Sequence, residues 1–382
     1  MRSKKLISSI IVAVLVSATF NTLVGTNSAG AANPNCTAAD GDYIVVFNRN
    51  ANVRSEIKSA PGKAVGAKFI YDSVLNGFAA TLSAEQVCAF EKRPNIESIE
   101  PDQKIEADLS TQSVGTSLWG LDRIDTTARI LDLKYSYTSN GSGAKAFIVD
   151  TGINSGHNEF GNRIDPGFWT IGTSAEDCNG HGTHVAGTIG GTSSGVAKSV
   201  RLTPVRVLDC NGSGSNSGVI AGLNWIASQP STKAVVNMSL GGGASTALDS
   251  AVSNLTRLGF VVVVAAGNSK RDACNFSPAR VASAITVAAS DINDQFASFS
   301  NYGKCVDIIA PGVNITSAWI GSSSSTNSIS GTSMASPHVA GVVARLLGAN
   351  LLPAINGMSS SNTVKNVPRG TSNLLLYLDP NK

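Results

Sequence analysis

Ala234-Val-Val-Asn-Met238 and Phe260-Val-Val-Val-Val-Ala265 are short apolar runs rich in β-branched residues, with a helical pattern filling residues 239–259 between them. Each run is strand-length rather than helix-length, and the connection is long enough for a helical crossover. Two further runs, 146–149 and 284–288, repeat the arrangement. Strands alternating with helices predict an α/β fold, a doubly wound and mostly parallel sheet with helices on both faces. Such sheets carry their chemistry at the carboxyl ends of the strands.

The polar residues that follow these runs are the candidates for that chemistry. Phe147-Ile-Val-Asp150-Thr-Gly-Ile153 ends an apolar strand in a carboxylate. That position suits an Asp that orients a histidine, and read alone it suits equally an Asp that caps the next turn. Asn179-Gly-His181-Gly-Thr-His184-Val-Ala-Gly187 runs from a glycine loop into a helix, with His181 at its mouth and His184 one turn further in. A zinc pair would need a third ligand that no Cys or Glu spacing supplies, so His184 reads as a hydrogen-bonded structural residue. In Ser330-Gly-Thr-Ser333-Met-Ala-Ser-Pro-His338-Val-Ala-Gly341 a serine surrounded by small residues opens a helix. Its backbone N–H is exposed for an oxyanion, although a plain helix cap is the commoner use of such a serine. Val263-Val-Ala-Ala-Gly-Asn268 places a carboxamide at another strand end, as an oxyanion donor or an ordinary turn residue. An acid, a base and a hydroxyl together are what a serine needs to attack a carbonyl at neutral pH.

The rest of the chain bounds the setting. Its 382 residues, 42% hydrophobic, exceed the needs of one compact domain, and a net charge of +3 gives no basic surface for nucleic acid. Arg2, Lys4 and Lys5 precede an apolar run at residues 6–16 and the small residues Ala29-Gly-Ala-Ala32, the pattern of a secretory signal peptide over residues 1–32 and too short for a membrane span. Charged residues form about a quarter of residues 33–109 and about an eighth of residues 110–382, which puts a domain boundary near residue 110. Residues 33–109 read as a small α+β unit with strands at 43–47 and 78–82, a helix at 84–91 capped by Ser83, and a last strand within 95–105. Six cysteines in an exported chain favour disulfides. The four late ones allow three connectivities, among which Cys178 with Cys210 and Cys274 with Cys305 are sequence neighbours.

Taken together, the motifs around Asp150, His181, Asn268 and Ser333 resemble those of the subtilases, in particular the proteinase K-like group and its aqualysin-type secreted enzymes. The order Asp, His, Ser agrees. The resemblance implies a subtilisin-like fold behind an inhibitor-like propeptide, and a secreted serine endopeptidase, made as a self-cleaving precursor, acting on proteins or peptides. It makes Ser333 the nucleophile, His181 the general base and acid, Asp150 the orienter, and Asn268 with the Ser333 N–H the oxyanion hole. Substrate would pair as a strand between Gly212, Ser213, Gly214 and Ser239, Leu240, Gly241. The walls at residues 240–242 and 265–267 carry no acid, so an apolar or aromatic P1 residue is expected. The propeptide, residues 33–109, would assist folding and inhibit the peptidase domain, residues 110–382, and Leu109 would be the P1 residue of self-cleavage. The resemblance supports the bridges Cys178–Cys210 and Cys274–Cys305, whereas a pairing of Cys36 with Cys88 has no family support. It also implies structural Ca²⁺ at Asp307 with the backbone oxygens of Ala282 and Ala284. Asp122 and Asp125 offer a second calcium site, although a lone Asp pair on a surface turn is more often just solvated, and residues 348–373 lack the acids of the weaker calcium site of proteinase K. No catalytic cofactor, nucleic acid or membrane is implied, and a monomer is expected.

Two rival functions follow from the same sequence. An inactive homologue would be a binding protein, against which the four intact site residues argue. An esterase would use Gly191-Thr-Ser193-Ser-Gly195 as a nucleophile elbow, although the flanking pattern lacks the required strand before and helix after.

Overall fold

The computed structural model describes residues 36–71, 76–102, 110–128, 130–351 and 354–381. The proposed signal segment and the Leu109 cut lie outside them. Contacts divide the chain into two units, Met1–Glu106 and Ala107–Lys382.

The first unit is a four-stranded antiparallel sheet in the order Ala67–Tyr71, Gly77–Leu82, Gly41–Phe47, Ile96–Pro101, with helices Val53–Lys58 and Ala84–Glu91. Ser83 starts the second helix as the sequence suggests. Its hydroxyl accepts from Gln86 N at 3.3 Å while Gln86 Oε1 accepts from Ser83 N at 3.1 Å, so each group satisfies a donor that the helix cannot. The first helix and the strand Ala67–Tyr71 were not legible. The helix is under two turns, and a register shift between Ala67 and Phe69 breaks the strand's alternation. Val45, Phe47, Phe78, Leu82, Val87 and Phe90 form the core. A disulfide joins Cys36 to Cys88, 52 residues apart.

A core this small gains substantially from a staple that restricts the unfolded chain. Closing a 52-residue loop is worth about 4 kcal/mol in the chain-entropy model. Replacing both residues, Cys36→Ser with Cys88→Ser, is expected to lower amide hydrogen-exchange protection in Gly41–Phe47 and Gly77–Leu82 by up to that amount and to leave the second unit unchanged.

The second unit is built on a nine-stranded sheet, ordered Ser359–Ser361, Leu374–Leu376, Ile308–Pro311, Ile285–Ser290, Val261–Ala265, Ala234–Met238, Lys145–Asp150, Arg201–Arg206, Phe168–Trp169. All neighbours are parallel except the first pair. Alternation along the strands feeds two cores. Ala146, Ile148, Val235 and Val263 pack with residues of the helices His181–Gly190 and Thr332–Gly348, whereas Phe147, Val149, Val236 and Val264 face the helices Asn216–Ala227 and Thr246–Arg257.

The strand Arg201–Arg206 escaped the sequence reading because Pro204 sits inside it. Leu202 donates outward to Arg163 O at 2.9 Å, and alternation turns the position of the missing Pro204 N–H to the same side, where Phe168–Trp169 pairs only with Val205 and Arg206. No ladder bond is lost there. Among the described residues no helix is long and apolar enough to cross a membrane.

Candidate active site

Three strand ends and two helix starts converge on one cleft. Asp150 closes the strand Lys145–Asp150 and is fully buried. Its Oδ1 accepts from Thr151 N at 2.7 Å, and both oxygens lie close to His181 Nδ1, at 2.8 and 2.9 Å. His181 is the first residue of the helix His181–Gly190. Gly180 before it has φ 108°, and a side chain at that position would enter the Trp319 ring. The turn therefore requires glycine. Burial disfavours charge on the imidazole, but Asp150, through its charge and its hydrogen bond, and Asp177 more weakly, hold the His181 pKa above its ordinary 6.5.

Ser333 is the second residue of the helix Thr332–Gly348. It is not a side-chain cap, because Gly331 occupies the cap position. Its hydroxyl donates to Ser239 O at 3.1 Å, so the serine is bonded to a strand end and not to the imidazole. Asn268 Oδ1 accepts from Thr332 N at 2.8 Å and from Thr332 Oγ1 at 2.9 Å, which leaves its amide nitrogen to face outward. A β-carbon placed on Gly331 would lie 3.3 Å from Asn268 Nδ2 and 3.6 Å from Ser333 N. Two donors thus border one small space.

Beside that space, Leu240, Gly241 and Gly242 on one side and Ala265, Ala266 and Gly267 on the other enclose a cavity of about 340 Å³ whose lining includes no acidic residue. A second hollow of about 570 Å³ continues past His181 between Gly212, Ser213, Gly214 and Ser239, Leu240, Gly241. Bridges join Cys178 to Cys210 and Cys274 to Cys305. The first ties the loop before His181 to the turn before Gly212, and Asn179 Nδ2 adds a bond to Cys210 O at 3.0 Å.

Other expectations fare differently. His184 is buried and its Nε2 donates to Ile315 O at 2.9 Å, as a structural residue should. Asp122 and Asp125 are not the solvated surface pair expected. Asp122 is fully buried and accepts from Leu133 N at 2.7 Å, while Asp125 accepts from Ser136 N at 2.6 Å and burial, reinforced by Asp122 and Asp132, pushes its pKa up to about 7. The run Gly191–Gly195 is a turn, with Ser193 N and Ser194 N both donating to Glu159 Oε2, at 2.9 and 3.1 Å. With those donors committed, no oxyanion could be held beside Ser193. Asp307 Oδ2 accepts from Thr286 N at 2.8 Å, and burial raises its pKa. Asp177, Thr332 and Asn301 are absent from the residues singled out in the sequence. Asp177 alone gave a signal, as an acid just ahead of a helix start.

Comparison with known proteins adds the family. A model of the subtilase family matches residues 141–373, and a model of the peptidase inhibitor I9 matches residues 42–108. This chain belongs to the subtilase family. An extracellular serine proteinase of Thermus sp. (strain Rt41A) is 50% identical over 371 residues, covering 89% of this subtilase and 90% of that protein. The alkaline serine protease ver112 of Corniculantispora psalliotae is 44% identical over 349 residues, covering 88% and 90%. A crystal structure of a cold adapted subtilisin-like serine proteinase superposes with a TM-score of 0.65 at 49% identity, covering 70% of this chain and 98% of that one. The chain is therefore a serine peptidase with an I9 inhibitor-type unit ahead of it.

Two buried histidines make the subtilase sensitive to acid. Burial lowers His184 and His338 to about 4. The unfolded chain takes up protons on both below about 6.5 and the folded chain does not until about 4, so this contribution is complete above the former value and lost on descending to the latter. The loss reaches roughly 3 kcal/mol per histidine, and Asp125, Asp122, Asp307 and His181, whose folded-state values are raised, act in the opposite sense. From pH 7.5 down to pH 5 the urea midpoint of His338→Asn is expected to shift toward higher stability relative to that of the wild type, since one of the two opposing histidines is gone.

Proposed function

We propose that this subtilase is a secreted endopeptidase that cleaves after apolar or aromatic residues and matures by cutting its own precursor. The paired Asp150 carboxylate and His181 Nδ1, at 2.8 Å, carry the reading. That bond fixes the tautomer with Nε2 free to accept a proton and stabilises the imidazolium once it forms. Ser333 Oγ swings from Ser239 O toward Nε2, gives up its proton there and attacks the scissile carbonyl. The new oxyanion takes hydrogen bonds from Ser333 N–H and Asn268 Nδ2. His181 then returns the proton to the leaving amine, and water resolves the acyl-enzyme by the same steps in reverse.

Extended substrate pairs with the backbones of residues 212–214 and 239–241, which lets strand geometry supply affinity whatever the sequence. The P1 side chain enters the cavity between residues 240–242 and 265–267. Its uncharged lining favours apolar and aromatic groups over Arg or Lys. Residues 1–32 act as a signal peptide. Residues 33–109 serve as propeptide, an intramolecular inhibitor and folding aid, and Leu109 fits the same P1 cavity at self-cleavage. Ser333→Ala is expected to leave the precursor uncut and to lower hydrolysis of a Phe-P1 peptide by about a millionfold in kcat. In the wild type kcat/KM should fall with acid through a pKa above 6.5, since only neutral His181 takes the serine proton.

A structural calcium fits Asp307. A desolvated carboxylate with one oxygen held by Thr286 N supplies a hard oxygen donor for such an ion, which would relieve its burial, and the backbone oxygens of Ala282 and Ala284 would complete the protein ligands. EDTA is expected to lower the melting temperature of the wild type by several degrees and to leave Asp307→Asn, already lowered, unchanged.

A further inference from the structure

Asp177 precedes His181 by four residues, and its carboxylate accepts five hydrogen bonds. Oδ1 takes Thr151 Oγ1 at 2.9 Å, Asn179 N at 2.9 Å and Gly180 N at 3.0 Å. Oδ2 takes Thr183 N at 2.9 Å and Thr183 Oγ1 at 2.6 Å. The two threonines carry the connection further, since Thr151 Oγ1 accepts from Gly182 N and Thr183 Oγ1 from Asn154 N, each at 2.9 Å. Thus the residue after Asp150 and the residues on both sides of His181 are bound to one anionic group. The Asp150 strand and the His181 helix belong to different layers, and the Asp177 carboxylate ties the backbone of one to that of the other.

We propose that Asp177 is a positioning residue for catalysis, which locks the His181 imidazole against Asp150 and holds a second negative charge beside it. This rests on the triad reading above. A neutral amide would do neither task. An Asn keeps one acceptor oxygen, turns an N–H₂ toward donors, and so orphans the helix-start N–H groups or the threonine hydroxyls. Misalignment of a general base by a fraction of an ångström to one ångström costs up to about a hundredfold in rate. The charge acts separately, because a nearby anion favours the protonated imidazole. The charged and titratable groups facing His181 are Asp150 at the strand end, Asp177 in the preceding loop, and His184 one turn along its own helix, kept neutral by burial.

The test uses mature enzyme and a Phe-P1 peptide, following kcat, KM and the acid limb of kcat/KM, with melting temperature as the check on folding. Asp177→Asn is expected to lower kcat about ten- to a hundredfold at nearly unchanged KM and to move the acid limb down by about half a pH unit. Thr183→Val keeps the charge and removes the 2.6 Å tether together with the acceptor for Asn154 N. It should lower kcat severalfold with the acid limb in place, and Thr183→Ser should recover most of the loss. This pair keeps the question answerable if Asp177→Asn does not accumulate. Wild-type kcat and an unmoved acid limb in folded Asp177→Asn, or wild-type kcat in Thr183→Val, would overturn the proposal. His181→Ala tests the underlying reading separately: full activity there would remove the triad, whatever the Asp177 variants do.

Discussion

A carboxylate with no exposure to water, Asp150, sits at the end of a central strand, and the second unit is arranged around making that tolerable. Burying an unpaired anion costs several kcal/mol, so the fold must bring it a donor and a cation or near-cation. The donor is local, the N–H of Thr151. The imidazole comes from a different layer and can arrive only if the following helix starts at one particular place. That requirement explains the left-handed glycine at 180, the acid at 177 that collects the helix-start N–H groups, and the bridge from Cys178 to Cys210. Each fixes where the helix begins.

The serine side is held by a second polar chain, this one through the core. Ser336 Oγ donates to Asn237 Oδ1 at 2.6 Å, Asn237 Nδ2 to Ser239 Oγ at 2.9 Å, and Ser239 Oγ to Ser333 O at 2.8 Å. Asn237 lies fully buried among valines and methionine. A half-satisfied amide there would be costly, whereas a satisfied one locks the long helix to the strand in one register. Asn301, also buried, binds Ser269 N and Arg271 N through Oδ1 and Ala266 O through Nδ2, and so holds the loop that carries Asn268. The cleft is rigid because its loops are sewn to buried amides, not because they are short.

What could be read from the sequence was whatever depends on local pattern. Apolar runs marked the strands, the glycine-rich motifs marked their polar ends, and Ser83 marked a helix start. What could not be read depends on the neighbour a residue meets. Pro204 hid a strand because its missing N–H matters only on the side where a partner bonds. Asp122 looked solvated because nothing in the sequence tells that residues 132 and 133 fold back over it. The Ser333 hydroxyl bonds Ser239 O rather than the imidazole, a rotamer choice that no spacing encodes. Cys36 and Cys88, the early pair that the sequence offers without family support, do bond, across 52 residues.

That last bridge bears on how the first unit can work at all. Its core is a handful of side chains, chiefly three phenylalanines with ring centroids 5.5 to 6.3 Å apart, and burial of this extent barely offsets the chain entropy of some seventy residues. A bridge does not enlarge the core; it removes conformations from the unfolded chain. The unit's folding is therefore tied to oxidising conditions, whereas the second unit has two large apolar cores and a smaller third among the described residues, and one of its bridges lies beside the cleft. An inhibitor-type unit stapled in this way gains stability without a larger hydrophobic surface.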